Sequence, residues 1–96
     1  MKDEFKKICK EALETWGEQA QLLMVVEEMA ELQKEILKNI NRKQNNIENI
    51  IGETADVYIM LEQLKQNYNI EKAVEEQIEK KLKEVVKIRL AEWNKK

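Results

Sequence analysis

Ninety-six residues, 43% hydrophobic and 38% charged, give room for one domain spanning 1–96, and so short a chain buries only about 60–65% of its unfolded surface. The absence of histidine excludes Ser-His-Asp and Cys-His catalysis and imidazole zinc sites, while a single cysteine, Cys9, allows neither an internal disulfide nor a Cys-x-x-Cys metal pair. Seventeen Lys+Arg against nineteen Asp+Glu leave a formal charge of -2, which argues against a nucleic-acid binder that works by phosphate neutralisation.

Proline is absent and glycine occurs only at positions 17 and 52. With Glu, Lys, Leu, Ile, Gln and Ala dominating, the composition predicts an all-α fold. Three weak breaks, Trp16-Gly17, Asn39 to Asn46 and Asn67-Tyr68-Asn69, predict helices near 2–15, 18–38, 47–66 and 70–93. The first carries Phe5, Ile8, Ala12 and Leu13 on one side, with Cys9 beside them as a small hydrophobe rather than a reactive thiol. The last carries Val74, Ile78, Leu82, Val85 and Ile88 at spacings of three and four, a packing stripe opposite Lys80, Lys83, Glu84 and Lys87. A four-helix architecture based on a helical hairpin is expected, completed by oligomerisation as a homodimer or homotetramer. The longest apolar run, Leu22 to Val26, is too short to span a membrane, and Met1-Lys2-Asp3-Glu4 opens no signal peptide. Together with the unpaired cysteine, this makes the cytoplasm the expected location, with no membrane or nucleic-acid partner.

The two middle helices differ from the outer ones. Helix two contains Val25-Val26-Glu27-Glu28-Met29-Ala30-Glu31-Leu32, and helix three contains Ile51-Gly52-Glu53-Thr54-Ala55-Asp56-Val57-Tyr58. Acidic side chains are set into the most apolar part of each. At about 100° per residue, Glu28 and Glu31 share one face, and so do Glu53 and Asp56. Like charges at this spacing cost a few tenths of a kcal/mol on an exposed helix and more when desolvated, so the arrangement calls for compensation.

An antiparallel hairpin with its turn centred near Arg42 opposes residues whose numbers sum to about 84. Glu28 then faces Asp56, Glu31 faces Glu53, and Met24 faces Met60 one turn away. Four convergent carboxylates without histidine make a hard-oxygen site suited to Mg²⁺, with Mn²⁺ as a substitute. The alternative is that these acids are ordinary solvated-face charges, since a protein with nineteen acids places some three apart by chance. A di-iron carboxylate bundle is excluded because its Glu-x-x-His pairs need histidine.

Glu27-Glu28-Met29-Ala30-Glu31, followed after 21 residues by Glu53-Thr54-Ala55-Asp56, resembles the E-E-x-x-E and E-x-x-D signature of the MazG-like all-α nucleoside triphosphate pyrophosphohydrolases. Trp16-Gly17 and Gln21 ahead of the first motif, and Asp56 to Leu64 continuing the second, are similar to the small single-domain branch of that family. The likeness covers about residues 16–64. It implies Mg²⁺-dependent hydrolysis of a nucleoside triphosphate to the monophosphate and pyrophosphate, with Glu28, Glu31, Glu53 and Asp56 as metal ligands. Such a site needs no histidine, because a metal can neutralise polyphosphate charge and activate water.

Glu27 points about 100° from Glu28 and is either a residue that orients the attacking water or an ordinary ion-pairing glutamate. Lys38, on the stripe of Glu31, is a candidate phosphate contact; Lys34, Arg42 and Lys43 are less well aimed, and a solvated surface accounts for any of them. Trp16 is a candidate base-stacking residue or a core residue, and Gln21 a candidate hydrogen-bonder to the base edge. The competing class is a non-catalytic helical oligomerisation module with a structural cation site. A phosphoribosyl-ATP pyrophosphohydrolase is a further enzymatic alternative, made less similar by the lack of histidine in and after the second motif.

Overall fold

A computed structural model describes residues 2–94 as four α-helices, with no strand among the described residues. They are α1 (Lys2–Trp16), α2 (Glu18–Arg42), α3 (Ile47–Tyr68) and α4 (Glu71–Asn94). Gly17 forms the whole joint between α1 and α2 at φ 92°, a conformation that glycine adopts without a Cβ clash. Its N–H closes α1 on the Leu13 carbonyl at 2.9 Å, and its own carbonyl accepts from Gln21 N–H at 3.2 Å. Asn69 ends α3 in the left-handed region, where asparagine is tolerated; its N–H reaches Gln66 O and that of Ile70 reaches Lys65 O, the paired bonds of a Schellman ending.

α2 runs four residues beyond the expected end at 38, to Arg42, and the loop is only residues 43–46. The asparagines expected to break the helix close the turn with their side chains instead. Asn39 Nδ2 donates to the Gln44 carbonyl at 3.2 Å and to Asn46 Oδ1 at 3.1 Å, while Asn46 Nδ2 donates to the Glu35 carbonyl at 2.8 Å.

The hairpin of α2 and α3 keeps the expected register. Gln21 donates to Gln63 Oε1 at 2.7 Å, and Asn49 donates to Glu35 Oε1 at 3.0 Å, both pairs summing to 84. The layers between are mixed in character. Among the described residues only Cys9, Val25 and Met60 are buried and apolar, beside the buried polar Glu35, Asn46, Glu62 and Gln63. Burying an apolar side chain fully gives about 1.5–3 kcal/mol, whereas ordering each residue's backbone costs about 1–2 kcal/mol, so this core alone is thin.

α1 packs across the α3 end of the hairpin. Cys9 Sγ lies 3.8 Å from the Ile59 carbonyl, and Gln66 Nε2 donates to the Lys6 carbonyl at 2.9 Å. Burial, with the Glu62 charge second, pushes the Cys9 thiol above its ordinary pKa, as befits a packing residue.

α4 departs from expectation. Val74 is half-buried near the start of the helix, where Lys6 also pairs with Glu71, but Ile78, Leu82, Val85 and Ile88 are exposed. The stripe read as packing is therefore largely uncovered within one chain. The radius of gyration is 17.3 Å, well above the about 12.5 Å of a compact 96-residue domain. No described helix is long and apolar enough to cross a membrane.

Candidate metal centre

The hairpin register places Glu28 of α2 opposite Asp56 of α3, and Glu53 stands one turn before Asp56 on the same face. One carboxylate oxygen from each of Glu28, Glu53 and Asp56 lies within 4.8 Å of the others. Glu28 and Asp56 line a small cleft of about 160 Å³ together with Met24, Ile59 and the buried Met60. Polar oxygens thus converge at the rim of an apolar layer.

The electrostatics are uncompensated. Burial first, then the Asp56 charge and the Glu53 carboxyl, hold Glu28 above the usual carboxylate range. Glu53 Oε2 is buried with no hydrogen-bond partner among the described residues. The ion pairs among those residues are Lys6–Glu71, Lys38–Glu35 and Lys65–Glu62, and none reaches the trio.

Glu31 stands outside this trio and is exposed, one turn along α2 from Glu28. Glu27 is exposed as well. Lys38 is half-buried and its ammonium is 3.2 Å from Glu35 Oε2, about 15 Å along the helix axis from Glu28. With Lys34 and Arg42 it lines an open groove of α2 rather than the acidic cleft. Gln21 is engaged with Gln63. Trp16 is 65% exposed at the end of α1, so it is not a core residue of the single chain.

A second polar cluster, absent from the sequence argument, sits near the turn. Glu35 is only 7% exposed and takes Lys38, Asn46 and Asn49 as partners. Burial alone would raise its pKa, but those hydrogen bonds outweigh it and hold the carboxyl below its ordinary value. The signal available in the sequence was the density of asparagine at 39, 45, 46 and 49 around a lone acid flanked by Lys34 and Lys38.

The trio fits a hard divalent cation in donor type: three carboxylates, one orphaned buried oxygen, and neither thiol nor imidazole. A cation would meet both the orphaned atom and the like-charge repulsion. Comparison with protein-family models, with curated proteins and with solved structures gives no match.

Proposed function

We propose that the chain is a Mg²⁺-dependent nucleoside triphosphate pyrophosphohydrolase of the cytoplasm, working as a homodimer or homotetramer. The observation that carries this reading is the convergence of Glu28, Glu53 and Asp56 from two helices, with Glu53 Oε2 buried and unpartnered among the described residues. The order and spacing of the two acidic motifs in the sequence support the same reaction class. When bound, Mg²⁺ (or Mn²⁺) supplies neutralisation of the polyphosphate and activation of water.

Glu28, Glu53 and Asp56 would hold the cation, with Glu31, exposed and one turn from Glu28, as the fourth carboxylate of the acidic motifs. Water adds across the anhydride between the α and β phosphorus atoms, so the products are the monophosphate and pyrophosphate. Trp16 offers its exposed indole for base stacking. Gln21 and Lys38 reach a nucleotide only by exchanging their present partners, Gln63 and Glu35.

The test is a panel of nucleoside triphosphates, with and without Mg²⁺, assayed for pyrophosphate. The reading expects monophosphate and pyrophosphate only when the cation is present. Orthophosphate released from a triphosphate in a pyrophosphatase-free assay would place the cut at the terminal phosphate and overturn it.

A further inference from the structure

α2 carries two seams with the same alternation of three and four residues. The seam facing α3 is Gln21, Val25, Glu28, Leu32, Glu35 and Asn39, all buried or half-buried. About 160° around the helix runs a second seam, Leu23, Val26, Ala30, Gln33, Leu37 and Ile40, all exposed. Leu23, Val26, Leu37 and Ile40 are 58%, 65%, 55% and 63% exposed. The exposed seam is the more apolar of the two, the reverse of what a helix with one buried side requires. Its repeat is that of a helix-packing seam sustained over eighteen residues.

The charges along α2 say what can cover it. Between Glu11 and Gln33 there is no Lys or Arg, and the charged residues of α2 up to Gln33 are Glu18, Glu27, Glu28 and Glu31, all acidic. From Lys34 to its end the helix carries Lys34, Lys38 and Arg42 against Glu35 alone. A parallel copy would set acidic half against acidic half. An antiparallel copy sets acidic against basic, so the helix is complementary to itself in that orientation only.

We infer that this seam is covered by the same seam of a second copy, antiparallel about a two-fold axis between Ala30 and Gln33. Residues whose numbers sum to 63 then face each other across the axis: Leu23 with Ile40, Val26 with Leu37, and Ala30 with Gln33. The small Ala30 lets the helices approach closely at the centre. Glu27, flanking the seam, falls beside Lys34 of the copy, and symmetry makes this pair twice. Such a contact uses the same patch on both copies and closes at two. The inference deepens the oligomer proposed above and rests on none of the proposed chemistry.

Sedimentation equilibrium of the full chain and of charge-swapped variants tests it. The wild type should be a dimer at micromolar concentration. Glu27→Lys places lysine against lysine, and Lys34→Glu places glutamate against glutamate, so each alone should weaken the dimer about tenfold or more. An equimolar mixture of the two should form a heterodimer about as tight as the wild type, and the double variant E27K/K34E should self-associate again. These positions are exposed in the single chain, and circular dichroism on the same samples verifies that each variant is folded. A wild type that stays monomeric at about 100 µM, single swaps that leave association unchanged, or a mixture no tighter than its components would each overturn the pairing. The last two results would move the contact to another face, such as exposed α4. Glu53→Gln in the same experiment should leave association unchanged whether or not it abolishes pyrophosphate release, so failure of the pairing and failure of the proposed activity are told apart.

Discussion

Two acidic clusters of the α2–α3 hairpin, one buried near the turn and one half-buried two turns away, are built on opposite terms. Near the turn, Glu35 is met by Lys38, Asn46 and Asn49, every partner supplied by the hairpin itself. Two turns away, Glu28 meets only Glu53 and Asp56, and Glu53 Oε2 has no partner among the described residues. Their protonation follows: Glu28 is held above its ordinary range and Glu35 below it. A buried acid whose partners come from its own fold holds that fold together. A set of acids that repel one another calls for a counter-charge from outside.

The largest expected break in this comparison is catalytic. Glu28→Gln, Glu53→Gln, Asp56→Asn and Glu31→Gln should each lower Mg²⁺-dependent pyrophosphate release about 100-fold or more, with helical content unchanged. At the other level, Glu35→Gln should leave turnover within a few-fold, because it holds the turn and meets no substrate.

The turn level should respond in stability. Asn46→Ala removes the donor to the Glu35 carbonyl and should cost about 1–3 kcal/mol in urea unfolding. The same change should leave Mg²⁺ binding intact. Loss of binding together with stability would mean that the two levels are not independent.

Titration sharpens the contrast further. In carboxyl NMR of the metal-free protein, Glu35 should titrate below its ordinary value and Glu28 above it. The stability signs are opposite. Glu35, with a depressed folded value, contributes stability that is present above the unfolded value and lost as pH falls through the folded one. Glu28, with a raised folded value, favours the fold when protonated, so its contribution is lost as pH rises through that raised value. Both groups moving in one direction would contradict the comparison.

Much of the architecture is legible in the sequence because the helices depend on local propensity, and Gly17 and Asn69 are the residues that tight joints prefer. The register follows from where the hairpin turns: Gln21–Gln63 and Glu35–Asn49 fall on the sum of 84 that counting gives. The end of α2 was not legible, because Asn39 and Asn46 look like helix breakers but spend their side chains across the loop. The outer seam of α2 is written in plain spacing, yet the acids at 27, 28 and 31 mask its apolar periodicity. For the candidate site, spacing shows which carboxylates share a face. It does not show rotamers, so Glu31 lies outside the trio while Glu28 lies in it. Lys38 and Gln21 were placed by stripe alone, which carries no information on the nearer partners that engage them.

The central claim is that Glu28, Glu53 and Asp56 share one cation site, and melting curves of the wild type and Glu53→Gln test it without any substrate. In chelator, each pair of like charges a few ångströms apart costs on the order of 1–4 kcal/mol before screening, so removing one should raise the melting temperature above that of the wild type. In millimolar Mg²⁺ the order should reverse, because the wild type gains stability by binding the ion in the folded state only and the variant loses most of that gain. A crossing of this kind is the predicted result. Parallel shifts in the two media, or a variant within about 0.5 kcal/mol of the wild type in both, would mean that these carboxylates behave as independent surface charges and would contradict a shared site.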